Sequence, residues 1–261
     1  MKRFVIFFFL VSLCFLFPSY AYGSIVINPE KISCGLIQIQ YTGELTKPVK
    51  VLVEANADKN VYTIRDNDPF YIPLQMGEGT YKISVLQQIA GTKFKPLKSE
   101  TIEVGAVDTN QMFTSPSLLV NFNGSMKAIQ NYADISNNKN KNQTIENFYK
   151  ELVTKYSYDF DKVNNLPSDY VPVIDEIYMA KKGICYDYSV MFASFLRYNG
   201  IPTKLVMGYA PEIKEYHAWN EVLIDGKWVA VDTTYDSQYE KAKQEYTFVK
   251  DSSKRKAVKV Y

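Results

Sequence analysis

Asp225 and Gly226 sit between two runs, Tyr216–Ile224 and Lys227–Thr233, that read as strands. Asp-Gly between such runs calls for a type I′ turn, because both central residues must take positive φ, and a two-residue turn fixes the register of the hairpin it closes. Counting outward from Ile224 opposite Lys227 puts Trp219 opposite Asp232 and His217 opposite Thr234. Side chains alternate across a sheet, so these four share one face. His217 and Asp232 then become diagonal neighbours roughly 7 to 8 Å apart by backbone position, a gap their side chains can bridge. His217 is the only histidine in the chain. Two other aspartates compete for the pairing, but Asp225 is consumed by the turn and Asp236 lies beyond the paired strand.

Upstream, apolar side chains recur at Tyr188, Met191, Phe192, Phe195 and Leu196, a helical spacing that begins after Gly183 and stops at Asn199-Gly200 with Pro202 beyond. Cys185 falls in the first turn of that helix. Unpaired backbone N–H groups and the positive end of the helix dipole favour an anion there, and a thiolate is the reactive form of cysteine. Thr203–Tyr209 reads as a buried strand. A helix packed on the His217 face would bring Cys185 to the imidazole, so that aspartate orients histidine and histidine takes the thiol proton.

These residues resemble the transglutaminase-like superfamily of papain-type cysteine enzymes. The resemblance is carried by Gly183-Ile184-Cys185-Tyr186-Asp187-Tyr188, by Gly200-Ile201-Pro202, by His217-Ala218-Trp219-Asn220-Glu221-Val222, and by Trp228 with Val231-Asp232-Thr233-Thr234. It spans about Gln143 to Phe248 and implies a catalytic triad of Cys185, His217 and Asp232. One departure concerns the oxyanion. Animal transglutaminases use an upstream tryptophan to steady it, and the only tryptophans here are Trp219 and Trp228. The expected donors are therefore the Cys185 backbone N–H and an upstream tyrosine such as Tyr178.

Taken singly, each residue has an ordinary reading: a buried cysteine as a small apolar filler, a histidine as a core or surface residue, an aspartate at a strand end as a turn former. The coincidence of helix start, hairpin parity and family wording favours the catalytic reading.

Met1-Lys2-Arg3 is basic, Phe4–Phe17 is almost unbroken apolar sequence, and Ala21-Tyr22-Gly23 is a small-x-small pattern. This reads as a secretory signal peptide, residues 1–23, cleaved near Gly23. Its apolar run is shorter than the roughly 20 residues a spanning helix needs. Cys14 follows a bulky Leu13, which argues against a lipid-anchored precursor. Removing Lys2 and Arg3 takes the formal charge from +2 to zero, leaving no global field to steer the chain to nucleic acid or anionic lipid. Cys34 and Cys185 then remain, in different expected domains, and both are expected to be free because bridging them would consume the nucleophile.

Residues 24–105 read as short strands between turn clusters, a small β-sandwich of immunoglobulin-like type serving as spacer or surface adaptor. Asp66-Asn67-Asp68 lacks the glycine and distal glutamate of a calcium loop and reads as a polar turn. Residues 106–142 are polar and rich in Asn and Lys, a linker by composition with a short helix near Met126–Tyr132 and weak glycosylation sequons at Asn123 and Asn142. Thr144–Lys155 shows helical spacing with Thr144 as its cap, and Ile174–Lys181 is a second short helix. Lys250–Lys259 reads as a solvated basic tail.

The expectation is an α+β protein: a papain-like, transglutaminase-core domain at residues 143–261 preceded by the sandwich. Its implied activity is attack by the Cys185 thiolate on a peptide or carboxamide carbonyl, giving an acyl-thioester resolved by water. Transfer to an amine, which would crosslink proteins, is the alternative; a surface adhesin that keeps the fold without the chemistry is a third reading. No cofactor and no metal are expected. The partner is an extracellular protein or peptide, with cell-wall peptide as one candidate; no nucleic acid, and the membrane only through the signal peptide.

Overall fold

Strand alternation shapes the first half of the chain. In β3 (Val49–Ala55) every second residue is buried, and β4 (Asp58–Ile64) buries Asn60, Tyr62 and Ile64 in the same rhythm. With β6 (Gly79–Ala90) and β7 (Lys93–Val104) these form an antiparallel sheet ordered β4-β3-β6-β7. A second sheet orders β1 (Ile25–Asn28), β2 (Leu36–Tyr41) and β5 (Phe70–Pro73). Ile37, Ile39 and Ile72 of one sheet share a core with Val51, Tyr81 and Ile83 of the other, so two layers pack face to face. Asp66-Asn67-Asp68 is a turn, with Asp66 accepting from the Asp68 N–H at 3.0 Å and Asn67 donating to the Tyr41 carbonyl at 2.7 Å. The computed structural model describes residues 23–136, 140–167 and 169–261; nearly all of the signal-peptide segment lies outside them. Among these, no helix is long and apolar enough to cross a membrane.

The stretch expected as a linker holds three short helices, α1 (Thr109–Met112), α2 (Lys127–Asn131) and α3 (Ala133–Ser136). The Asp175 carboxylate accepts from the Lys127 and Ala128 N–H groups at 3.2 and 2.8 Å, which fastens α2 to α6 (Ile174–Ala180). Next comes α4 (Lys141–Lys155), followed by the two-residue strand β8 (Ser157–Tyr158) and α5 (Phe160–Asn164). Asn140 caps α4, not Thr144: its side chain accepts from the Asn142 and Gln143 N–H groups, while Thr144 is buried inside the first turn.

After β9 (Lys182–Gly183), the helix α7 (Cys185–Tyr198) is buried almost all round. It packs against α4, α6, the sheet and a C-terminal helix. Phe148 of α4 stacks on Phe195 with ring centroids 3.9 Å apart. The helix ends where Gly200 takes a positive φ of 66°, and Ile201 and Gly200 donate to the carbonyls of Leu196 and Arg197, both at 2.9 Å. Arg197 is buried, yet its guanidinium donates to the carbonyls of Thr203, Ser115 and Tyr261 at 2.7, 3.1 and 2.8 Å, tying helix, sheet and C-terminal segment together.

The second-domain sheet orders β12-β11-β10-β13, with β10 (Thr203–Ala210), β11 (Ile213–Ile224), β12 (Lys227–Val231) and β13 (Lys256–Val260). Asp225 and Gly226 both have positive φ, 49° and 76°, as the turn demands. The register runs as counted from Ile224↔Lys227 to Asn220↔Val231 and then stops. Asp232 leaves the strand to cap α8 (Thr233–Lys241), accepting from the Tyr235 N–H at 3.0 Å. Thr234 is therefore helical and does not face His217; Asp-Thr-Thr competes with the ladder by bonding its own downstream backbone.

Two further expectations are corrected. The body of α7 packs on the Ala218, Asn220 and Val222 face of β11, with Asn220 donating to the Ser189 carbonyl at 3.0 Å, whereas Trp219 lies in a separate cluster with Val206 and Ala230. The helix thus covers the face opposite to the one expected, and its first residue, Cys185, reaches His217. Lys250–Lys259 is not a solvated tail: it supplies β13, which pairs with β10 from Tyr209↔Lys256 to Val206↔Val260, and its Lys250 is buried.

Phe148→Ala removes a fully buried ring from the contact between α4 and α7. Denaturant unfolding is expected to show a loss of about 3 to 5 kcal/mol; a loss below about 1 kcal/mol would contradict this account of the core.

Candidate active site

The approach to Cys185 is held by one carboxylate. Asp187, fully buried in the first turn of α7, accepts from the Ile184 N–H at 2.9 Å, from Lys162 Nζ at 2.7 Å and from the Tyr170 hydroxyl. A Cβ on Gly183 would fall 2.6 Å from the Cβ of Asp187, so the bend into the helix needs glycine there. Sequence reasoning passed over Asp187, although its place three residues after Ile184 is the capping-box position. Lys162 and Tyr170 carry no local signal, since they come from a neighbouring loop and short helix.

His217 lies past the last β11–β12 pair and opposite Gly208 of β10. Its Nε2 is 2.8 Å from Asp232 Oδ2, and the two side chains are 5% and 0% exposed. Burial opposes a charged imidazole, but the charge and hydrogen bond of Asp232, with a further contribution from Cys185, push its pKa up to about 10. With Nε2 committed to Asp232, Nδ1 is the nitrogen left for the thiol. Burial also works against ionised Asp232, yet His217, Arg255 and the Tyr235 N–H together hold its carboxyl below the usual range. The structure thus brings Cys185, His217 and Asp232 into one chain of contacts.

Other assignments change. Tyr178, the upstream tyrosine named as an oxyanion donor, meets Tyr132 edge-on at 5.2 Å, and the Lys181 ammonium lies 4.0 Å from its ring centre. Tyr158 lies near Cys185, paired through β8 with Gly183 of β9, with the Asp159 N–H donating to the Gly183 carbonyl at 2.9 Å. Burial pushes the Tyr158 hydroxyl up to about 12, with Cys185 and Asp187 adding to the rise. Arg255, also absent from the sequence reading, donates through Nη1 to Asp232 Oδ2 at 3.2 Å. One turn along α8, Asp236 is paired with buried Lys250 and accepts from the Tyr149 hydroxyl at 2.7 Å; burial still pushes it up to about 6. Cys34 and Cys185 are both free thiols, and Cys34 donates to Gln111 Oε1 at 2.7 Å in the N-terminal half.

Residues 130–233, which contain Cys185, His217 and Asp232, match the transglutaminase-like superfamily. Among solved structures, the chain is similar to a candidate cysteine protease from Cytophaga hutchinsonii, with 12% identity over 87% of this chain and 79% of that one and a TM-score of 0.44. It is also similar to the periplasmic domain of TgpA from Pseudomonas aeruginosa, at 14% identity over 86% of this chain and 99% of that one, with a TM-score of 0.39. A protein described as a TGase matches at 22% identity over 41% of this chain and 30% of that one, with a TM-score of 0.31. No curated protein matches the chain.

Folded His217 holds its proton more tightly than an unfolded histidine, so its interaction stabilises the fold in full below about pH 6.5 and is lost as pH rises through about 10. Thermal unfolding between these values should therefore show the wild type losing stability with rising pH more steeply than His217→Gln. Parallel slopes for the two proteins would contradict the buried imidazolium.

Proposed function

We propose that the transglutaminase-like domain at residues 130–233 is the core of an exported cysteine hydrolase acting on the carbonyl of a peptide or carboxamide. The observation that carries this reading is the 2.8 Å contact between His217 Nε2 and Asp232 Oδ2, with Cys185 at the start of α7 beside the same ring. Asp232 fixes the imidazole's orientation and favours its charged form. The thiolate of Cys185 attacks the carbonyl carbon, and the developing oxyanion is met by the Cys185 backbone N–H at the helix start. The imidazolium then gives its proton to the departing nitrogen as the carbon–nitrogen bond breaks, leaving an acyl-thioester. Water attacks the thioester carbonyl, His217 accepts its proton, and the carboxylic acid departs as the thiolate reforms. Export rests on the N-terminal basic and apolar segment.

Exposed Tyr216, next to His217 on β11, and Tyr209 on β10 meet edge-on at 5.6 Å, and they offer an aromatic surface to a peptide. Hydrolysis is favoured over transfer by what the two tryptophans do. Trp219 is buried beneath Arg255, and Trp228 packs on Phe113 with the Lys204 ammonium 4.0 Å from its ring. Both rings are engaged inside the fold rather than free for an approach on which an amine could wait in place of water.

The protein lacking residues 1–23, incubated with a glutamine-containing casein and a fluorescent primary amine, should release ammonia or new peptide ends without incorporating the amine. Cys185→Ala should abolish that release. Cys185-dependent incorporation of the amine would overturn the hydrolytic assignment.

A further inference from the structure

The 250–255 segment places two cations on buried carboxylates, one within α8 and one at its N-cap. Lys250 pairs with Asp236, and Arg255 Nη1 lies 3.2 Å from Asp232 Oδ2, the oxygen that also meets His217 Nε2 at 2.8 Å. Arg255 is not a surface side chain that happens to reach inward: it is 2% exposed, its Nη2 binds Glu212 Oε2 at 3.1 Å, and its Cζ lies 5.4 Å from the ring centre of buried Trp219. Its backbone is pinned as well. Gly208 of β10 pairs with His217 on one side and with Ala257 of β13 on the other. A Cβ on Gly208 would fall 2.0 Å from the Lys256 carbonyl oxygen, so glycine permits the close crossing next to Arg255.

We propose that Arg255 is a positioning residue of the active site, which fixes the Asp232 carboxylate against His217 and limits how strongly that carboxylate holds the imidazole proton. This rests on the reading of His217 and Asp232 as a working pair. A guanidinium and an imidazolium that share one carboxylate oxygen compete for its charge. The carboxylate is kept ionised and aimed, while histidine remains able to release its proton to the leaving nitrogen. Glu212 draws on the other half of the fork and so moderates the competition. The remaining groups around Asp232 are the Tyr235 N–H and Asp236 on α8, Tyr149 from α4 and Lys250 beside Asp236, and Cys185 from α7 beyond the imidazole.

The chain has one histidine, so heteronuclear NMR of its imidazole nitrogens reports His217 alone. In a Cys185→Ala background, which removes the coupled thiol, Arg255→Met should raise the His217 titration midpoint by about one pH unit, because Asp232 then serves the imidazole alone. Arg255→Lys, which restores a cation, should recover at least half of that shift. Glu212→Gln, which leaves the guanidinium to Asp232, should lower the midpoint. An unchanged or lowered midpoint in Arg255→Met would overturn the proposal. Should that variant fail to fold, an unchanged or raised midpoint in Glu212→Gln would overturn it. These shifts need no turnover: if they appear while wild-type Cys185 proves unreactive, the hydrolase reading fails and the role of Arg255 in setting His217 stands.

Discussion

The second half of the structure turns on the carboxylate of Asp232. An ionised carboxylate with no exposure to water survives only where donors surround it. Here the donors come from separate parts of the chain: the His217 ring from β11, the Arg255 guanidinium from the segment before β13, and the Tyr235 N–H from the first turn of α8. That one group therefore requires the hairpin, the helix after it and the C-terminal strand to be folded together. Removing either charged partner would leave the other buried beside an incompletely matched charge, which costs more than the pair contributes.

Cys185 is held by the same logic at a second carboxylate. Asp187 caps the Ile184 N–H from inside α7, pairs with the Lys162 ammonium and accepts from the Tyr170 hydroxyl, so the first turn that carries Cys185 is fastened on both sides. The imidazole of His217 lies between Cys185 and Asp232. The N-terminal half is joined to this domain through the C-terminal strand: Gln75 donates to the Val260 carbonyl at 2.8 Å, and Tyr62 meets Tyr261 edge-on at 6.0 Å.

Local signals reached far into this arrangement. The Asp225-Gly226 turn determines its own backbone geometry and therefore the register back to Asn220↔Val231. Apolar spacing with Gly200 at its end determines the length of α7. What lay beyond local reading was competition between alternatives of similar strength. Asp232-Thr233-Thr234 can extend a strand or cap a helix, and only the buried partners of Asp232 decide for the cap. Lys250–Lys259 reads as solvated because its charges are visible in the sequence while their partners, Asp236, Asp232 and Glu212, are distant along the chain. The face on which α7 packs was misjudged for a related reason: hairpin parity tells which residues share a face, not which face a helix covers. Tyr158 was missed because a two-residue parallel pairing with Gly183 leaves no periodic trace.

The central claim is that Cys185 is made reactive by its place beside His217, and the two free cysteines allow it to be measured within one molecule. Brief treatment of the protein with iodoacetamide at about pH 6, below the ordinary thiol range, followed by peptide mapping, compares them directly. The account predicts that Cys185 is alkylated well ahead of Cys34 and that His217→Ala removes the advantage. Equal labelling of the two cysteines, or an advantage that survives the loss of His217, would contradict it.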